Sequence, residues 1–190
     1  MTMLAPRSAT SHLDIARCTR MALIHDMAES LVGDITPVDN VPKDEKSRRE
    51  AATIDYIAEN LLGACANGGR DAGRELKEVW WEYETGKTAE SVFVHDVDKI
   101  ELLLQMVEYE SDPKFEWVQE RREDGSVKRK RLDLGEFSWT AKKVVGKGTR
   151  MWAADVLRER VHLWEGRGES ATMLDDNREF IAAVDEEQKA

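Results

Sequence analysis

Apolar residues recur at intervals of three and four along most of this 190-residue chain, whereas the alternation typical of β-strands is nearly absent. Residues spaced in this way share one face of an α-helix. The pattern is longest between Ala89 and Glu110, where its apolar members are Val92, Val94, Val97, Ile100, Leu103, Leu104 and Val107. We therefore predict an all-α fold in which helices pack their apolar faces together.

Capping and turn residues divide this pattern into separate helices. Thr10 or Ser11 is a possible first N-cap, Gly33 ends the first helix, Pro42 suits a helix start, and Thr88 suits a second N-cap. The predicted helices span residues 13–31, 43–61, 75–83, 89–110, 137–145 and 149–163. The apolar face of the second helix is predicted at Ala52, Ile54, Ile57 and Leu61.

One domain is predicted over residues 1–165. It is followed by an acidic, glycine-punctuated segment, residues 166–190, which we interpret as a flexible tail. Residues 111–133 break the helical pattern with turn dipeptides and with the tetrabasic run Lys-Arg-Lys-Arg at residues 128–131. We interpret this stretch as a solvated loop inserted into the domain. A nuclear-import or phosphate-binding patch is the alternative for the basic run.

Composition excludes several classes of protein. The formal net charge of −10 argues against binding to polymeric nucleic acid, which requires a cationic surface. No apolar run approaches the roughly 20 residues of a membrane span. The N-terminal segment is too short in its apolar part for a signal peptide, and Cys18 and Cys65 lack the spacing of a disulfide framework or zinc site. We therefore expect a soluble cytoplasmic protein, with the nucleus as a second location.

His25 and Asp26 are adjacent in an otherwise apolar stretch, and Glu29 follows one helical turn later. A spacing of three and four positions places Glu29 on the same helix face as the other two. An imidazole with carboxylates suits a divalent cation such as Mn, Co, Mg or Zn. A buried structural histidine is the alternative, but carboxylates on an apolar helix cost free energy unless they are paired or bound to metal. The sequence therefore predicts a metal site here.

Three more residues extend this candidate site. Asp34 can satisfy loop amides or, like Glu29, can accept a proton from an attacking water or hold a second ion. Asp98 lies on the apolar helix over residues 89–110, where a carboxylate must be paired or ligated. It is therefore a candidate ligand, and a salt bridge to an arginine of an earlier helix is the alternative. His95 could substitute as a ligand, although a surface position is favoured for it.

The chain resembles the HD-domain family in four motifs that occur in the family's order. They are His-Asp-Met-Ala-Glu-Ser-Leu-Val-Gly-Asp-Ile-Thr-Pro at residues 25–37, Lys-Asp-Glu-Lys-Ser-Arg-Arg-Glu at residues 43–50, Trp-Glu-Tyr-Glu-Thr at residues 81–85, and Asp98. The likeness is greatest to the 5′-deoxynucleotidase branch of the family, and it covers residues 13–110.

This resemblance implies an all-α, metal-dependent phosphohydrolase that forms homodimers and releases phosphate from deoxyribonucleoside 5′-monophosphates. The reaction would be in-line attack of a metal-activated water on phosphorus. The positions that match metal ligands are His25, Asp26 and Asp98, and those that match a further cation site or assist the chemistry are Glu29, Asp34 and the carbonyl of Ile35. A cyclic nucleotide or an alarmone is the rival substrate within the same fold.

The chain departs from the family pattern at one point. The pattern is His…His-Asp…Asp, and its first His would fall before Met1, since His12 is too close to His25 to be that residue. We therefore expect a family member that lacks its first two helices and has impaired activity. The alternative is a non-catalytic helical interaction module that pairs with itself or with a full-length relative through the uncovered face.

Overall fold

The structure is a computed structural model that describes residues 10–36, 39–121 and 125–189. Helices dominate it, as the periodicity of the sequence predicts. The chain forms two compact units, Met1–Val94 and His95–Ala190. Whether the two units belong to one domain over residues 1–165 stays a prediction. Among the described ranges, no helix is both long and apolar enough to cross a membrane.

The first unit is built from helices around a small apolar core. Its helices are α1 (Ile15–Ile24), α2 (Glu29–Val32), α3 (Lys43–Tyr56), a π-helix (Ile57–Leu62) and α4 (Gly69–Thr85). The buried residues of the core are Ala28, Ile54, Ile57, Ala58, Leu76 and Trp80. This core joins α3, the π-helix and α4 to the segment that carries the candidate metal site.

The prediction of one continuous helix over residues 13–31 was wrong. Asp14, rather than Thr10 or Ser11, is the N-cap of α1, and its carboxylate accepts a hydrogen bond of 3.0 Å from the backbone N–H of Arg17. The helix ends at Ile24, and residues 25–28 form a turn before α2 begins. The turn is tight because its backbone bonds link residues three apart, as from the Met27 N–H to the Ile24 carbonyl.

The predicted apolar face of the second helix was only half right. Ile54 and Ile57 are buried, whereas Ala52 is exposed and Leu61 is 50% exposed. Ala52 is two positions from Ile54 and therefore lies on another side of the helix. Leu61 is turned outward because the helix widens into a π-helix, in which Ala58 accepts a bond from the N–H five positions later.

The second unit contains helices around a larger core and one small sheet. Helix α5 (Ala89–Ser111) runs across the boundary between the units, and it is followed by β1 (Trp117–Arg121), β2 (Val127–Arg131), a 3₁₀-helix (Gly135–Lys143), α6 (Lys147–Arg167) and α7 (Leu174–Lys189). Its buried core includes Ile100, Leu103, Met106, Leu157, Phe180 and Val184. Thr88 caps α5 as predicted, because its hydroxyl accepts a 3.1 Å bond from the Ser91 N–H.

The prediction of an irregular loop over residues 111–133 was wrong for residues 117–121 and 127–131, which form the strands β1 and β2. β1 and β2 pair as an antiparallel ribbon in which Trp117 is opposite Arg131. The Arg131 guanidinium carbon lies 4.6 Å from the centre of the Trp117 ring, and Lys130 pairs with Glu120 across the strands at 2.7 Å. These cross-strand pairs stabilise a strand that its charge alone would not predict. Asp124 lies outside the described residues.

The C-terminal segment is a packed helix, so the prediction of a flexible tail was wrong over residues 174–189. Phe180 and Val184 of α7 are buried against α6. The acidic residues of α7 instead form ion pairs, such as the 2.8 Å pair between Glu187 and Arg150. The segment over residues 137–145, predicted as an α-helix, is a 3₁₀-helix that ends at Lys143.

Candidate metal centre

His25 and Asp26 lie in the turn that follows α1, on the surface of the first unit. The imidazole is mostly buried and packs against the ring of Tyr83, with centroids 4.9 Å apart. The Asp26 side chain is 63% exposed, and its Oδ2 lies 3.0 Å from His25 Nε2. One member of the pair is therefore fixed by packing, while the other faces solvent.

The hydrogen bond made by His25 Nδ1 determines the state of the other ring nitrogen, Nε2, which faces Asp26. Nδ1 lies 2.9 Å from the carbonyl of Ala22, and because a carbonyl only accepts, Nδ1 must carry the proton and donate it. Nε2 and the Asp26 carboxylate oxygen are then two electron-rich atoms in contact, unless a proton or a metal cation neutralises them. A histidine that donates one N–H to a carbonyl and presents its other nitrogen beside a carboxylate is a typical metal ligand. The donor set therefore fits a divalent cation.

The Lys46 ammonium group lies among three acceptors of the first unit, which are Glu29, Glu50 and the carbonyl of Ile35. Lys46 Nζ donates a 3.0 Å hydrogen bond to the Ile35 carbonyl, and it lies 3.5 Å from a Glu50 oxygen and 4.0 Å from a Glu29 oxygen. Burial raises the pKa of Glu29, and the nearby Asp26 carboxylate raises it further. The resemblance matches Glu29, Asp34 and the Ile35 carbonyl to positions that hold a further cation or assist the chemistry. In the structure, the Lys46 ammonium group lies beside Glu29 and Ile35.

Lys46 and Glu50 were missed by the sequence interpretation. Both belong to the run Lys-Asp-Glu-Lys-Ser-Arg-Arg-Glu, which contributed only to the family likeness. Their spacing of four positions on α3 was the available signal, because it puts an ammonium group and a carboxylate on one helix face. Glu50 is only 8% exposed, so its charge must be compensated from nearby, and Lys46 does this.

Asp98 does not occupy the environment that its apolar helix predicts. It is exposed, whereas its neighbour Asp96 is 1% exposed. Asp96 accepts hydrogen bonds from the backbone N–H groups of Val145 and Gly146, at 3.0 and 2.8 Å, and a 2.6 Å bond from the Thr149 hydroxyl. The buried carboxylate of this helix is therefore Asp96, and Asp98 lies at an exposed position. The ligand role of Asp98 stays a prediction.

The structure brings some of the predicted ligands close together. Asp26 and Asp34 both act electrostatically on Glu29, and Asp34 is exposed after the Gly33 end of α2. In the described part of the chain, no three His, Cys, Asp or Glu side chains already converge as a complete metal-binding group. The roles of His25, Asp26, Glu29, Asp34 and Ile35 as ligands stay predictions that the geometry of His25 and Lys46 makes testable.

The chain is thus a helical protein that carries, in the turn after α1, an imidazole–carboxylate pair suited to bind a cation. The HD domain profile matches residues 1–135, and this chain belongs to the HD domain family. Phosphohydrolases of this family generally depend on a divalent metal ion.

Several similar proteins carry names that state an activity. The 5′-deoxynucleotidase hdd1 of Schizosaccharomyces pombe is 40% identical over 148 residues, which are 78% of this chain and 66% of that protein. The 5′-deoxynucleotidase HDDC2 of Homo sapiens is 44% identical over 110 residues, 58% of this chain and 50% of that protein. This chain thus spans between half and two thirds of the length of these relatives.

A solved structure shows the same fold. The HD domain-containing protein YGK1(YGL101W) is similar with a TM-score of 0.60 and 29% sequence identity, and the match covers 86% of this chain and 73% of that one. The prediction of a helical HD-type fold from the sequence is confirmed.

Proposed function

We propose that this chain is a metal-dependent 5′-deoxynucleotidase, which hydrolyses deoxyribonucleoside 5′-monophosphates to the nucleoside and phosphate. The observation that carries the proposal is the contact between His25 Nε2 and Asp26 Oδ2 at 3.0 Å, with Nδ1 committed to the Ala22 carbonyl. Such a pair is suited to hold a divalent cation. The names of the relatives from fission yeast and human support the choice of substrate.

The residues of this chain would act in two groups. His25 and Asp26 would hold the metal, with Tyr83 fixing the plane of the imidazole ring. Glu29, with its raised pKa, lies beside them and is suited to accept a proton from water as the phosphate is attacked. When bound, a divalent cation supplies Lewis-acid activation of the phosphoryl group and of water. Asp98 would be a further ligand, as the resemblance implies.

The finer properties of the enzyme belong to the same proposal. The proposed cofactor is a divalent metal ion, for which Mn, Co, Mg and Zn are the candidates because all four accept nitrogen and carboxylate ligands. We also propose a homodimer that is located in the cytoplasm, with the nucleus as a second location.

The test is phosphate release from deoxyadenosine 5′-monophosphate by the purified chain, with added manganese or cobalt and with EDTA in a parallel sample. We expect release that depends on metal, and faster release from the 5′-monophosphate than from deoxyadenosine 3′-monophosphate or adenosine 5′-monophosphate. His25→Ala, purified in the same way, controls for a contaminating phosphatase.

Two results would contradict the proposal. Release that is equal in EDTA, or equal for His25→Ala, would show that the His-Asp turn is not the reaction centre. The absence of release from a folded, manganese-loaded chain with all three nucleotides would refute nucleotidase activity for this chain.

A further inference from the structure

The antiparallel pair of β1 and β2, which we call the basic ribbon, concentrates positive charge in an acidic chain. Its strands, Trp-Val-Gln-Glu-Arg and Val-Lys-Arg-Lys-Arg, carry five basic residues and one acidic residue, whereas the whole chain has a formal net charge of −10. Eight of the ten side chains are exposed. Such a surface attracts anionic groups from solution.

Part of this charge is neutralised within the molecule. Lys130 Nζ lies 2.7 Å from Glu120 Oε1, and Arg131 Nη2 lies 3.0 Å from Glu169 Oε1. These two basic residues fix the ribbon in place and have little charge left for a partner.

Lys128 and Arg129 differ from Lys130 and Arg131 among the residues that the structure describes. Within the described residues no carboxylate forms an ion pair with either side chain, and both side chains are exposed. The Arg129 guanidinium carbon lies 5.0 Å from the centre of the Trp117 ring, which orients the group without neutralising it. Adjacent residues of a strand point to opposite faces, so each face of the ribbon presents one available cation.

The backbone of β2 is also open along one edge. The Leu132 N–H donates a 3.0 Å bond to the Glu116 carbonyl, which fixes the alternation of bonded and non-bonded pairs along the ribbon. Val127, Arg129 and Arg131 fall at the non-bonded positions, so their N–H and C=O groups point away from β1. The described residues form a sheet of two strands, and no third strand among them covers this edge.

We propose that the outer edge of β2 binds an extended acidic peptide segment of another protein by β-strand addition. The outward backbone groups supply the hydrogen bonds, and Lys128 and Arg129 each meet an acidic side chain on opposite faces of the added strand. This site lies in the second unit and is additional to the nucleotidase activity.

Charge selects this occupant over the other candidates. A second copy of β2 would place basic residues opposite one another, which is unfavourable. Basic side chains on an edge also discourage neutral strands, so the edge is selective for an acidic one. A nucleic acid would use the charge of the ribbon through its phosphates, but its backbone lacks the alternating N–H and C=O groups that match the edge of a strand.

The probe is a fluorescein-labelled octapeptide of two Glu-Glu-Val-Val repeats, which places glutamates on both faces of the extended strand. Its binding to the full chain is measured by fluorescence anisotropy. A second peptide of the same sequence carries N-methyl groups on alternate amides, so that it keeps the charge and loses the hydrogen-bond donors of one edge. The control is the isomer that is methylated on the other set of amides, because it loses the hydrogen-bond donors of the opposite edge. A single-stranded oligothymidylate of equal charge is the third probe.

Two pairs of variants separate the backbone from the charge. Val127→Pro removes an outward N–H without changing the charge, and Val127→Ala controls for the shortened side chain. The double change Lys128→Glu with Arg129→Glu reverses the available charge, and Lys128→Gln with Arg129→Gln removes it. The ribbon is exposed and outside the buried core, and the thermal midpoint of each variant confirms that it is folded.

We expect the acidic peptide to bind, and to bind about tenfold more weakly to Val127→Pro than to Val127→Ala, because loss of one backbone hydrogen bond also disturbs its neighbours along the edge. One of the two N-methylated isomers should bind the wild-type chain about tenfold more weakly than the unmethylated peptide. The double change Lys128→Glu with Arg129→Glu should abolish binding of the peptide. Equal binding of both isomers, equal binding to Val127→Pro and Val127→Ala, or tighter binding of the oligothymidylate would overturn strand addition in favour of a polyanion surface. The absence of peptide binding to the wild-type chain would overturn the proposal outright.

Discussion

The chain contains the dipeptide His-Asp twice, and the two copies have opposite environments. At residues 25 and 26 the imidazole is mostly buried and the Asp26 carboxylate is 63% exposed. At residues 95 and 96 the carboxylate is 1% exposed and accepts three hydrogen bonds, while His95 is half-buried. The first carboxylate is free to exchange its surroundings for a metal ion, whereas the second is already fully engaged.

The role of a His-Asp dipeptide therefore depends on which hydrogen-bond donors surround its carboxylate in the folded chain. Asp96 is met by the amides of Val145 and Gly146 and by Thr149 at the start of α6, so it fastens that helix to α5. Asp26 lies in a turn, close to Nε2 of a histidine whose other ring nitrogen donates to a backbone carbonyl. The same two residue types therefore serve structure in one place and, in our proposal, chemistry in the other.

The largest effect expected is on the activity of Asp26→Asn. The change keeps the shape of the side chain and removes its charge, and we expect phosphate release to fall about a thousandfold, equivalent to ~4 kcal/mol of transition-state stabilisation. Stability should be nearly unchanged, because the side chain is exposed. Asp71→Asn, on an exposed part of α4, is the matched control. Steady-state kinetics with manganese, together with thermal melting, would reveal whether Asp26 acts instead as a structural residue like Asp96.

Asp96→Ala is expected to lower the stability of the chain, in contrast to Asp26→Asn. The change leaves two backbone N–H groups and a hydroxyl without their acceptor in a buried site, so the free energy of unfolding should fall by about 3 kcal/mol. Urea denaturation measures this change, and Asp98→Ala, at an exposed position two residues away, should cost far less stability. If Asp96→Ala unfolded at the same urea concentration as the wild-type chain, the assignment of Asp96 to structure would be wrong.

Lys46→Met tests whether the ammonium group takes the place of a cation. Without it, the Glu50 and Glu29 carboxylates lose their nearest positive charge, and the metal-free chain should lose about 2 kcal/mol of stability. Added manganese should then stabilise the variant more than the wild-type chain, because the metal no longer competes with Lys46. Lys43→Met, an exposed lysine of the same helix, should show neither effect in thermal melting. A manganese-induced shift identical in all three chains would refute the competition.

The smallest effect is the pH dependence that Glu29 gives to the metal-free chain. Burial raises the pKa of Glu29 above its ordinary value of 4.5, so the folded state favours the protonated carboxyl group. The stability gained in this way is fully present below the ordinary value and is lost as the pH rises through the folded pKa. Glu29→Gln should therefore become progressively more stable than the wild-type chain as the pH rises from about 4 to 7. Thermal melting in EDTA across this range measures the difference, and a constant difference would contradict it.

The local features of the fold were predictable because they depend on short-range patterns. Thr88 begins α5 as its position before an apolar helix indicates, and Gly33, with φ of 77°, ends α2 in a backbone conformation that favours glycine. His25, Asp26 and Glu29 were proposed from their residue types and spacing alone, and their roles as ligands stay predictions. Each of these predictions needed only a few consecutive residues.

The errors share a different physical cause. The strand β2 is stabilised by the partner strand that carries Trp117 and Glu120, and the helix α7 is stabilised by burial of Phe180 and Val184. Neither partner is visible in the charge pattern of the segment itself. Asp96, rather than Asp98, is the buried carboxylate of α5, and its burial depends on a hydrogen bond from Thr149, which is 53 positions distant along the chain.

The sequence by itself determined the helical class, the HD-type likeness and the His25-Asp26 pair, because helix periodicity and adjacent ligands are encoded within a few residues. Only the tertiary structure decided that Lys46 occupies the position beside Glu29 and Ile35, that Asp96 is buried and Asp98 exposed, and that the basic run forms a strand paired with β1. These outcomes depend on which distant donors, acceptors and apolar surfaces meet in space, and contact between distant residues is a property of the folded chain.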